Sequence, residues 1–148
     1  DKKADRSRAK KGRGDLLLDI LNMANNPLFK DAYIIIGVDD ETHEVVGVPD
    51  DDNNRRNTEQ LTDFLMEQRF ANGICPQVQV ETLSHGSLQV DVIVIKASQE
   101  VPFYLYESHE YDIRPGVVYA RQNGRNTPRN KSASSYAIER LWRLRIAA

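Results

Sequence analysis

The sequence predicts a single α+β domain of two layers, in which helices pack against a mixed β-sheet. Its 148 residues are enough for one hydrophobic core and short for two. Apolar residues recur at helical spacing in some segments and alternate or run together in others, which indicates both helices and strands. No internal repeat or low-complexity linker divides the chain, so we expect one core.

The chain begins with a segment that differs in character from the rest. Residues 1–14 are polar, basic and without an apolar period, so we expect a basic N-terminal arm or the end of a truncated element. The domain itself should occupy 15–148. Its first helix is expected to begin with Asp15 as N-cap and to end at Asn25-Asn26-Pro27, since the residue before a proline is disfavoured in the helical region.

The other elements are predicted from apolar patterns and turn residues. The apolar run Ala32–Val38 predicts a central strand with both faces covered. A second helix should begin at Thr58 and end at Asn72-Gly73, and a last helix should begin near Ser132. The remaining predicted strands are Glu44–Val48, the hairpin arms Val78–Leu83 and Leu88–Ile95 around a turn at His85–Ser87, an edge strand at Pro102–Tyr106, and Gly116–Arg121.

Composition excludes several classes of protein. The longest apolar run, Tyr33–Val38, is too short to span a bilayer, and the charged start lacks the features of a secretory signal. The single cysteine, Cys75, cannot form an internal disulfide, and His43, His85 and His109 make no zinc pattern. We therefore expect a cytoplasmic protein with no membrane partner and no resident cofactor.

Charge is strongly segregated along the chain, although the net charge is only −2. Residues 1–14 carry +5, residues 114–148 carry +7, and the segment between them carries −14. If the fold brings the two ends together, it creates a positive face of the kind that binds nucleic acid. The alternative is that both ends are solvated segments around an acidic body.

The strongest binding signal is the basic loop between the last predicted strand and the last helix. Cations recur there every few residues, with Asn, Gln and Thr between them, and such a loop offers phosphates both charges and neutral donors. The candidate nucleic-acid-binding residues are Arg121, Arg125, Arg129 and Lys131 of this loop, with Lys10, Lys11 and Arg13 of the N-terminal segment. The alternative is that these cations pair with the protein's own acids.

An acidic cluster follows the first predicted strand. Asp39 and Asp40 could supply carboxylate oxygens to a divalent metal, but a metal site needs ligands that converge from several elements. The alternative is a polar turn in which the aspartates accept hydrogen bonds from their own backbone. We assign no catalytic residue and no metal ligand on this basis.

Several short motifs together resemble the AlbA_2 domain, a Schlafen-type family common in bacterial proteins. They are Met23-Ala24-Asn25 followed by Ile35–Asp40, the return Val46-Gly47-Val48, the segment Val101–Tyr104, and Tyr119-Ala120-Arg121 followed by Asn126-Thr127-Pro128. The resemblance implies a nucleic-acid-binding domain, DNA being expected over RNA, within a protein such as a transcriptional regulator.

The resemblance also leaves two alternatives open. The family's opening Glu-Ser-x-x-x-Glu-Phe-Lys segment has no counterpart here, and we expect it upstream of Asp1. In Schlafen-type RNA nucleases that segment supplies two glutamates that act with an aspartate matching Asp39, so the first alternative is an Mg²⁺-dependent nuclease domain without its glutamates. The second is a protein-interaction domain in which strands near Pro102–Tyr106 and Gly116–Arg121 pair between subunits.

Overall fold

The α+β class is confirmed, and the strands pair antiparallel in two small sheets instead of forming one mixed sheet. The computed structural model describes residues 2–50, 52, 55–108 and 110–148, and over these it has three α-helices, a three-stranded sheet and a two-stranded sheet. Three residues of the predicted acidic turn and one of the three histidines lie outside the described residues: Asp51, Asn53, Asn54 and His109.

Helix α1 is longer than the apolar pattern predicts. It spans Lys2–Ala24, so the expectation that it begins with Asp15 as N-cap is wrong, and the described part of the basic segment is helical. Lysine, arginine and alanine are strong helix formers, and their propensity extends the helix beyond the apolar stripe. The helix ends before Asn25-Asn26-Pro27, as expected.

The three-stranded sheet has the order β1-β4-β3, with β1 at Ala32–Ile36, β3 at Val78–His85 and β4 at Leu88–Ile95. The predicted central position of the first strand is wrong, because β4 occupies the centre and β1 is an edge strand. The apolar run is therefore covered on one face only, and Tyr33 and Ile35 on the outer face are 56% and 54% exposed.

The strand predicted at Glu44–Val48 is reduced to a single bridge between Val38 and Val45. The amides of Val46 and Gly47 both donate to the carbonyl oxygen of Gly37, at 2.8 and 2.9 Å. Gly37 and Gly47 have φ of +106° and +80°, so the backbone turns where a ladder would continue. The hairpin of β3 and β4 is confirmed, with Gly86 and Ser87 at its tip.

Helix α2 spans Thr58–Met66 and is capped by reciprocal bonds between Asn57 and Gln60. It ends earlier than predicted, because Arg69–Phe70 forms strand β2, which pairs with β5 at Leu105–Glu107. Helix α3 spans Ser135–Ala147 with Ser134 as N-cap.

The predicted strand Gly116–Arg121 does not pair as a strand. Val118, Tyr119 and Ala120 are buried, and the segment packs beside α1 instead. The core joins one face of α1 to the inner face of the three-stranded sheet, where Ile93 and Ile95 are buried. No helix among the described residues is both long and apolar enough to cross a membrane.

Candidate nucleic-acid interface

The two basic regions of the chain lie one after the other along α1, because the segment after Ala120 runs antiparallel to residues 15–22 of the helix and reaches the basic part of α1 at Arg129. The amide of Arg121 donates to the carbonyl oxygen of Asn22 at 3.1 Å, near the end of the helix. One turn back, the Asn126 side chain donates to Asp19 at 3.3 Å, and a further turn back Arg129 pairs with Asp15 at 2.9 Å. We call the seven candidate cations along this contact the basic strip: Lys10, Lys11, Arg13, Arg121, Arg125, Arg129 and Lys131.

Two fully buried asparagines hold this arrangement. Asn22 donates from Nδ2 to the carbonyl oxygen of Thr127 at 3.3 Å and accepts the Thr127 amide at 2.7 Å. Asn25 donates to the carbonyl oxygens of Phe103 and Tyr119, both at 2.8 Å, and accepts the Phe103 amide at 2.7 Å. These bonds satisfy backbone groups that the unpaired segment would otherwise bury without partners.

Lys10, Lys11 and Arg129 line one groove beside α1, of about 350 Å³, together with Glu110 and Asp112. Both lysines are exposed. Arg129 is partly neutralised by Asp15, and its Nε is buried without a partner in the described part of the chain. The lysines are therefore the cations of this groove that are most available to a ligand.

Arg13 belongs to a neighbouring cluster of aromatic and guanidinium groups. Its Nε donates to the hydroxyl of Tyr111 at 3.1 Å, and the Tyr111 ring packs edge-on against Phe64 at a centroid distance of 6.1 Å. The guanidinium of Arg56 lies 5.4 Å from the Phe64 centroid. Burial, and secondly the positive charge of Arg13, lower the pKa of Arg56.

The other candidate cations lie on the loop that follows Ala120. Arg121 is half-buried and donates from Nη1 to Asn126 Oδ1 at 2.7 Å. Arg125 is exposed at the end of a tight turn in which Asn123 and Gly124 have φ of +51° and +74°. Lys131 is also exposed, and within the described residues no side-chain partner is found for it or for Arg125.

Asp39 and Asp40 lie elsewhere, in the turn after β1. Asp39 Oδ1 accepts the amides of Glu41 and Thr42, each at 2.9 Å. The Thr42 amide, and then that of Glu41, lower the pKa of Asp39. Nowhere in the described ranges do three or more histidine, cysteine, aspartate or glutamate side chains gather in one place.

The structure thus brings Lys10, Lys11 and Arg129 into one groove, with Arg13 nearby, and leaves Arg125 and Lys131 exposed on the same loop. Arg121 faces a different hollow, which it shares with Arg140. Sequence reasoning missed Arg56 and Tyr111, which carry no local pattern. It also left Arg140 out of the candidate cations, although the spacing of four residues between Tyr136 and Arg140 on the predicted last helix was a usable signal.

Comparison with known families gives one match. The family model described as Schlafen, AlbA_2 matches residues 1–130, which include α1, both sheets and the loop up to Arg129. No curated protein and no solved structure matches the chain.

Proposed function

Because the chain belongs to the Schlafen AlbA_2 family, we propose that it is a nucleic-acid-binding module whose affinity comes mainly from phosphate contacts. Membership of the family suggests nucleic-acid binding in general. The observation that carries the proposal for this chain is that the basic loop lies along α1 and continues, at Arg129, into the groove of Lys10 and Lys11.

The dimensions of the basic strip suit a phosphate backbone. Between Lys10 and Asn22 helix α1 rises by about 18 Å. Measured along the duplex axis, that length corresponds to roughly five phosphates of one strand of B-form DNA. Asp15 and Asp19 interrupt the strip, where Asp15 is paired with Arg129 and Asp19 accepts a hydrogen bond from Asn126.

We take DNA as the preferred polymer and a bacterial regulator as the context on the strength of the resemblance, and the cytoplasm as the compartment because the single cysteine, Cys75, fits a reducing environment. These statements are more specific than the general nucleic-acid binding that membership of the family suggests. Parallel titrations with DNA and RNA duplexes of the same sequence test the preference for DNA, and tighter binding of the RNA duplex would contradict it.

Removal of two strip lysines tests the phosphate contacts. Lys10→Ala/Lys11→Ala should weaken binding to a DNA duplex at low salt. The slope of log K against log salt should become shallower by roughly 0.9 for each phosphate that the variant no longer neutralises. Alanine is the best helix former, so α1 should persist. Fluorescence anisotropy over a salt series measures both quantities.

A double variant on another surface gives the matched control. Arg69→Ala/Lys96→Ala removes the same charge from residues that lie near Glu107 and Asp31, at 3.5 and 4.0 Å. We expect little change in slope for this variant. Equal losses in both double variants would mean that only net charge matters, and the basic strip would not be the interface.

A further inference from the structure

A second hollow lies between the end of α1, the turn at 122–125 and helix α3, and we call it the α3 groove. Its volume is about 270 Å³, and its lining includes Leu28, Arg121, Tyr136 and Arg140. Among the described residues it is lined by two arginines and by no acidic side chain, whereas the groove beside Lys10 and Lys11 contains two acids. An anionic ligand is therefore repelled less in the α3 groove than in the groove beside Lys10 and Lys11.

The groove also presents an aromatic ring to solvent. Tyr136 is 65% exposed in the first turn of α3, although a tyrosine ring carries a large apolar surface. Arg140 lies one turn later, with its guanidinium 5.6 Å from the ring centroid and Nη1 donating to the tyrosine hydroxyl at 3.2 Å. The two side chains hold each other on the helix surface, so less freedom remains to be lost on binding.

An exposed aliphatic side chain flanks this pair. Leu28, in the loop after α1, is 62% exposed. Tyr136 and Arg140 also line an adjoining hollow, in which Glu139 is paired with Arg143 at 2.9 Å. Glu139, the acidic residue nearest to Tyr136 and Arg140 on α3, is thus paired with an arginine of the same helix.

From these contacts we propose that the α3 groove binds an unpaired nucleotide of a single strand, with its base stacked on Tyr136 and its phosphate at Arg121 and Arg140. The inference rests on the proposed function and adds a binding mode to it. Aromatic rings beside arginines bind single strands because every base has a flat face to stack and every link carries a phosphate. A peptide with acidic residues would use the arginines but would not require a stacking surface.

An abasic oligonucleotide separates stacking from charge. We would compare a single strand of thymidines with an abasic strand of equal length, on the order of ten nucleotides, as DNA. The unaltered protein should bind the thymidine strand about tenfold more tightly, as one stacked base predicts. Tyr136→Ala should abolish that difference, so that the variant binds the thymidine strand and the abasic strand equally. The affinity for a uridine RNA strand of the same length is measured in parallel, and it shows whether the groove binds RNA or DNA more tightly.

Two further variants keep the test decisive. Tyr136→Leu retains apolar bulk without a ring and should also lose the preference for the thymidine strand. Tyr33→Thr removes a tyrosine of β1 that is 56% exposed and should keep this preference. If the unaltered protein binds both strands equally well, the inference is wrong and phosphate binding stands. If it binds neither these strands nor a duplex, the proposed function fails as well.

Discussion

Asn25→Ala should lower the free energy of unfolding by about 3 kcal/mol. The Asn25 side chain is fully buried and makes three hydrogen bonds, two to carbonyl oxygens and one to the Phe103 amide. Alanine would leave these backbone groups buried without partners, and the segments at Phe103 and Tyr119 would lose their attachment to the end of α1. Urea denaturation followed by circular dichroism measures the change.

The neighbouring asparagine provides the control. Asn26 is only half-buried, and its Oδ1 accepts a single amide, that of Leu28, at 2.9 Å. Asn26→Ala should cost less than about 1 kcal/mol. Similar losses at the two positions would show that burial of the Asn25 amide does not hold the segment to the helix.

Asp91→Asn should destabilise the protein by about 2 kcal/mol near neutral pH. Asp91 is 4% exposed in the centre of the sheet and accepts two bonds from Arg55, at 2.7 and 2.8 Å. The hydroxyl of Thr82 donates a third bond at 2.7 Å. Asparagine preserves the size but removes the charge, so the Arg55 guanidinium would face a neutral partner.

The loss should depend on pH in a defined direction. The bonds from Arg55, and less strongly the bond from Thr82, hold the pKa of Asp91 below its usual 3.8. A lowered carboxyl pKa contributes stability that is complete above the unfolded pKa and disappears as pH falls through the folded pKa. The difference between the two proteins should therefore stay constant above about pH 5 and shrink as the pH falls from there towards about pH 3 and below. A difference that stays constant over this range would contradict the ion pair.

The elements with a clear local signal were predictable. The β3–β4 hairpin follows from alternating residues around Gly86, and the end of α1 follows from Pro27. The apolar run at β1 did not reveal the position of this strand in the sheet. A run of isoleucines fits either a central strand or an edge strand with one solvent-exposed face. Likewise, helix propensity extended α1 through a segment without apolar spacing.

The candidate interface was predictable only as a set of cations. Charge segregation indicated which residues could bind phosphate, but the pairing of Arg129 with Asp15 joins residues 114 positions apart and has no local trace. The asparagine at the helix end was expected to stop the helix, whereas Asn25 also clamps two distant segments. Such roles depend on tertiary contacts that no window of sequence contains.

Whether phosphate contacts are the source of binding is decided by the affinity of the unaltered protein for a short DNA duplex across a salt series. We expect log K to fall linearly with log salt, with a slope between about −3 and −5 for the roughly five phosphates that the strip can span. Absence of binding at low salt, or an affinity that does not change with salt, would contradict phosphate contact as the source of binding.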